Sequence, residues 1–169
     1  ADIRAGNRPG DKPKVDKYLD IDRRWIHPVQ NDPTLPANNG DVQIRIFAPT
    51  DSATSNLNNH SLVVVISYAD STILIPGDNE PPSWEELLKK SEFREAVKNT
   101  DILVAPHHGR ESGYYGDLFK YIGNPYLTII SDGRFLDTSC TPRYSAMTRG
   151  WTVHRRSGGD EQRKCVTTR

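Results

Sequence analysis

Ser61 to Tyr68 reads Ser-Leu-Val-Val-Val-Ile-Ser-Tyr, and no other stretch limits the fold of this chain so strongly. Four of its residues in a row, Val63 to Ile66, are β-branched. Such side chains are stiff at χ1 and pack well on a pleated surface, so the run predicts a strand. Because it is continuous rather than alternating, the expectation is burial on both faces. With Leu62 it gives five consecutive apolar residues, the longest such stretch and far short of the ~20 a bilayer span requires.

The segments around it follow a consistent order. Val42, Ile44 and Ile46 alternate with Gln43, Arg45 and Phe47, the pattern of a half-buried strand. Thr72 to Pro76 reads as a further strand, joined to the 61–68 run by a short turn at Ala69-Asp70-Ser71. Ser83 and Glu86 have capping-box spacing and predict a helix near 83–98, with Leu87, Leu88, Phe93 and Val97 as its buried stripe. Asp101 to Pro106 predicts a buried strand, Leu118 to Ile122 a helix, and Tyr126 to Ser131 another strand. Thr141-Pro142 starts a helix that Gly150 stops, and 151–155 and 164–168 close the chain as strands. Strands come first and then alternate with helices. That order predicts an α/β fold, a mixed sheet covered by helices.

Residues 1–40 differ. They are rich in Pro, Gly, Asn, Asp, Lys and Arg, with sparse apolar residues, and read as a polar, loop-rich segment or insertion preceding a domain over 41–169. Leu19, Ile21, Trp25 and Ile26 are its candidate anchors, and His27 beside Pro28 reads as a turn histidine. The N-terminus has no apolar signal region and no initiator Met, so the expectation is a processed product or a fragment. Charge excludes little: 22 basic against 22 acidic residues give no global field toward nucleic acid or membrane. Cys140 and Cys165 make neither a disulfide framework nor a zinc pattern, which points to free thiols and a cytoplasmic location.

Two segments follow the ends of expected buried strands, where ligands of open α/β sheets bind. One is Pro76-Gly77-Asp78-Asn79-Glu80 and the other Pro106-His107-His108-Gly109. If their strands are neighbours, a carboxylate and imidazoles meet in one cleft, a donor set suited to zinc or manganese. Gly-Asp after a strand is also an ordinary turn. Glu80 reads either as a group behind the ligands or as a solvated loop carboxylate. Asp132, Asp137 and Thr138 follow a third strand end and are candidates for the same cleft or a plain loop.

Taken together, Asn58 to Val64, Ile73 to Asp78 and Asp101 to Gly109 resemble the DNA-internalisation competence-protein (ComEC-like) branch of the metallo-β-lactamase superfamily. That branch reads N-x-x-S-L-V-L, then I-L-L-x-G-D-x-E, a helix, and A-D-x-L-x-x-P-H-H-G-S. The resemblance covers residues 40–169 and implies the C-terminal half of an αβ/βα sandwich. It implies Asp78 as a metal ligand, and His107 and His108 as catalytic residues at the site rim, in metal binding or proton transfer. It further implies two divalent ions, zinc or manganese, that activate water for hydrolysis of phosphodiesters in nucleic acid or nucleotides, with acyl or thioester hydrolysis also within the superfamily. The upstream motif, H-x-H-x-D-H or H-x-D-x-D-H, does not occur here, and His27 and His60 stand alone. The expected partner is therefore a missing N-terminal half or a companion chain carrying it; the alternative is a degenerate, non-catalytic module that binds a partner. Arg110 stands where the branch has Ser, and Asp137 lies where it often has a late histidine. Arg110, Arg134, Arg143, Arg149, Arg155 and Arg156 are candidate phosphate contacts.

Overall fold

A six-stranded mixed sheet organises the chain, its strands lying side by side in the order 43–47, 63–68, 71–75, 102–104, 127–130 and 165–167. The computed structural model describes residues 9–24, 39–50, 56–131 and 140–168. His27, Trp25, Ile26, Asp132, Arg134, Asp137 and Thr138 lie outside the described residues. The chain forms two compact units, Ala1–Asp32 and Pro33–Arg169.

In the first unit, a helix stands where the sequence reading had loop. It is α1, Lys12–Arg24, preceded by a 3-10 turn at Pro9–Asp11. Pro13 falls in the first turn, where its missing N–H costs no hydrogen bond. Val15 and Leu19 are half-buried one helical turn apart. That short stripe was too sparse to show a period among so many polar residues.

The second unit holds the sheet. β1 (Gln43–Phe47), β2 (Val63–Tyr68) and β3 (Ser71–Ile75) run antiparallel. β4 (Ile102–Val104), β5 (Leu127–Ile130) and β8 (Cys165–Thr167) continue from β3 in parallel. The β2–β3 turn is formed by Ala69 and Asp70, both left-handed at φ 46° and 60°. Two positive-φ residues match the right-handed twist of the strands they join.

The two faces of this sheet are unlike. Val63, Val65, Leu74, Leu103 and Ile130 point to the helices and are at most 1% exposed. They pack with Trp84, Leu87, Phe93, Val97, Ile122 and Tyr144 into one core. The register places Ile46, Val64 and Ile75 in one row of the opposite face, and Ile44, Ile66, Ile73, Ile102 and Leu127 in the next. Val104, Ile129 and Val166 form a third. All eleven are aliphatic; Leu127 is buried, nine are half-buried, and Ile46 is 51% exposed. The expected two-sided burial of the 61–68 run is thus corrected. Val63 and Val65 are buried and Val64 and Ile66 only half so, because helices cover one face of the strand.

The helix expected near 83–98 is two helices, α2 (Pro81–Leu87) and α3 (Ser91–Val97). Ser83 does not cap. Pro81 and Pro82 begin α2, and Ser83 Oγ instead donates to buried Asn59 Oδ1 at 2.7 Å. The break is held by Arg94, whose Nη1 donates to the carbonyls of Leu88 (2.7 Å) and Lys89 (3.0 Å), groups a helix end leaves without intrahelical partners. α4 (Phe119–Ile122) and α5 (Thr141–Met147) complete the helical layer. β6 (Trp151–His154) and β7 (Asp160–Arg163) pair as a separate hairpin. β7, Asp-Glu-Gln-Arg, has no apolar residue and gave no strand signal. Among the described residues no helix is long and apolar enough to cross a membrane.

Both cysteines are free thiols. Burial, with the thiol's hydrogen bond to the Glu111 carboxylate next, pushes Cys140 up from 9.0 to about 11, and burial does the same to Cys165. Burial also raises Tyr144. For each group the folded state disfavours ionisation, so its stabilisation is complete below the unfolded value and is lost as pH rises through the folded one. The melting temperature should hold at neutral pH and fall between about pH 9 and pH 11. A flat profile to pH 11, measured by circular dichroism, would contradict this.

Candidate metal site

β3 and β4 are parallel neighbours, so the loops leaving their C-terminal ends share one edge of the sheet. The His107 N–H donates to Gly77 O at 3.0 Å and ties the two loops together. Gly77 is left-handed at φ 62°, and a Cβ there would lie 2.7 Å from Ser61 Cβ. That close approach brings Ser61 Oγ to accept the Asp78 N–H at 3.0 Å. Fully buried Asn79 donates from Nδ2 to Ser61 O (2.9 Å) and Pro76 O (2.7 Å). The loop carrying Asp78 is thereby fixed to the segment before β2.

The histidine loop stores strain. His107, His108 and Gly109 are consecutively left-handed, at φ 48°, 59° and 75°. For residues with a Cβ this costs roughly 1–2 kcal/mol each. Such strain persists only where the surroundings impose it, and it concentrates at functional sites. Its effect is to separate the two rings, whose centroids stand 6.3 Å apart.

His108 faces Asp78. Its Nδ1 lies 2.9 Å from Ser131 O, and a carbonyl only accepts, so the ring proton there is fixed on Nδ1. The Nε2 lone pair is left toward Asp78 Oδ1 at 3.6 Å, with both side chains partly exposed. A backbone carbonyl orienting a histidine through its other nitrogen is the usual support of a metal-binding imidazole. Two donors each about 2 Å from a shared ion stand less than about 4 Å apart, so this pair fits a divalent ion. Two donors do not close a four-ligand shell. Among the described residues no third His, Cys, Asp or Glu joins them.

His107 turns the other way and is 8% exposed. Arg110 Nη1 lies 3.2 Å from its Nε2, and a guanidinium only donates, so Nε2 accepts and the ring proton sits on Nδ1. That N–H faces both Ser112 Oγ (2.9 Å) and Glu80 Oε1 (3.2 Å). Ser112, His107 and Glu80 are not a nucleophile triad, since hydroxyl and carboxylate meet the same ring nitrogen rather than opposite ones. Glu80 also accepts from Asn56 Nδ2 (2.6 Å) and Asn58 Nδ2 (2.9 Å), and its N–H donates to Asn59 Oδ1 (3.1 Å).

Of the sequence candidates, the structure thus brings Asp78 and His108 together and places His107 and Glu80 in a closed network behind them. His60 is exposed at the end of the 3-10 turn Leu57–His60. Arg143 stacks on Tyr114 (3.9 Å) and pairs with Glu111, and Arg149 stacks on Tyr126 (4.5 Å). Sequence reasoning missed Asn56, Asn59, Ser61 and Ser112 as site-building residues. The Asn58-x-x-Ser61 spacing was the available signal, since it marks the segment that grips the Asp78 loop.

No family model matches the chain. It is similar to Recombination protein 2 of Haemophilus influenzae, 28% identical over 108 residues that make up 64% of this chain. The matched stretch spans 13% of that protein's length.

Proposed function

We propose that this chain is the C-terminal half of a divalent-metal hydrolase of the metallo-β-lactamase fold, of the competence-protein branch, acting on phosphodiesters in nucleic acid or nucleotides within the cytoplasm. The observation that carries the reading is the Asp78–His108 pair, 3.6 Å apart at the carboxyl edge of the parallel strands. The half-buried aliphatic face of the same sheet supports it. Domains bury such a face against a second layer, and two packed sheets form a core about 10 Å thick. An upstream half docked there completes a sandwich and brings the histidine-rich motif to the edge where Asp78 stands. Asp78 and His108 then hold zinc or manganese, while Glu80, His107 and Ser112 keep the histidine loop in its strained form. The bound ions would lower the pKa of water and polarise the scissile phosphoryl group.

A second reading, a non-catalytic partner-binding module, is favoured by one observation: no H-x-H-x-D-H motif occurs in the 169 residues. Metal content separates the two. This chain alone should hold fewer than two ions after gel filtration, and a form completed by the upstream motif should hold two. Two tightly held ions on this chain alone would overturn the half-site. No metal in the completed form would favour the module.

A further inference from the structure

The charge of the chain is balanced overall but not locally. Between Arg149 and Lys164, five cationic side chains face two acidic ones. This segment forms the β6–β7 hairpin, a sheet of its own that is followed directly in the chain by the edge strand β8. Val153, Arg155, Arg156 and Arg163 of the hairpin and Val166 and Thr167 of β8 line a groove of about 630 Å³. Glu161 pairs with both Arg155 and Arg163 and fixes their guanidinium planes. Each guanidinium has five donors and one carboxylate occupies at most two, so outward N–H groups remain for another anion. Arg156 is exposed and adds a third positive charge. At the hairpin base Trp151, 42% exposed, is the cross-strand neighbour of Arg163 and packs edge-on against Tyr126, also 42% exposed. At its other end the groove reaches Thr167, which pairs with Ile130, one residue before the Ser131 whose carbonyl orients His108.

We infer that this hairpin groove is a binding site for a single nucleic-acid strand, with Arg155, Arg156 and Arg163 on successive phosphates and Trp151 stacked on a base. An arginine-lined groove beside an exposed aromatic is the combination that tracks an unpaired strand, because every base has a π-face and duplex bases are already stacked. The inference deepens the phosphodiester reading, on which its relevance to turnover rests, but binding itself needs no metal. The test is fluorescence anisotropy of a labelled oligothymidylate with the full chain in EDTA. Binding should be strong at low salt and weaken as salt rises, and each lost phosphate contact should make the log–log slope shallower by about 0.7. Arg156→Glu, at an exposed position, should weaken binding about tenfold or more, and so should Trp151→Ala. Lys120→Glu, the same charge reversal at an exposed position outside the groove, should leave binding unchanged. Loss of binding in Lys120→Glu, undiminished binding in Arg156→Glu, or equal affinity for a matched duplex would each overturn the inference.

Discussion

Asp78→Asn, in a form completed by the upstream motif, should reduce hydrolysis of a model phosphodiester to background while the fold persists. The side chain is partly exposed and its loop is held through its backbone N–H by Ser61, so an amide of the same shape leaves that hydrogen bond in place. What it removes is the negative charge and one strong oxygen donor to the ion. His108→Ala removes the other donor to the same proposed ion and should lower metal affinity and turnover about tenfold or more. His107→Ala should behave differently. It removes the partner of Glu80, Arg110 and Ser112 inside a nearly buried network, so it should lower stability as well as rate. Melting temperature and turnover measured on all three variants separate the roles. A His107→Ala protein of unchanged stability would show that the network does not support the loop.

Gly77→Ala should strongly destabilise the Asp78 loop. Gly77 sits at φ 62°, where a Cβ carries an intrinsic penalty, and that Cβ would stand 2.7 Å from Ser61 Cβ. Backbone strain of about 1–2 kcal/mol and overpacking of about 1–3 kcal/mol together give a loss of roughly 2–5 kcal/mol in denaturant unfolding. Gly40 is the control: its φ is 66°, but no atom lies within 4 Å of an added Cβ, so Gly40→Ala should show the backbone part alone. Equal losses at the two positions would contradict the close packing of the Asp78 loop on Ser61.

The sheet was legible because its strands announce themselves. Val63 to Ile66, Ile73 to Ile75 and Ile102 to Val104 are apolar runs too short for helices and bounded by turn residues, and their segments, with 126–131, share one sheet. The open face was not legible. A strand half-covered by helices and one buried on both sides have the same composition, and only the register reveals eleven aliphatic residues on one side. Capping was misread for a related reason: Ser83 has the spacing of a cap, but two prolines ahead of it start the helix earlier, and its hydroxyl goes to Asn59. At the site, sequence placed Asp78 beside a histidine pair without dividing their roles. Nothing in His-His tells which ring turns inward. The division comes from consecutive left-handed residues and from partners remote in sequence, Ser131 for one ring and Glu80 for the other.

The proposal rests on Asp78 and His108 sharing an ion, and manganese titration followed by amide nitrogen–proton NMR of this chain reads that pair directly. Bound Mn²⁺ broadens nearby signals even when affinity is modest. The amides of Asp78, His108 and Ser131 should broaden first, at the lowest metal concentrations, and should stay sharp in Asp78→Asn and His108→Ala. Broadening that begins instead at the exposed His154–Asp160 pair of the hairpin, with Asp78 and His108 unaffected, would contradict the metal site.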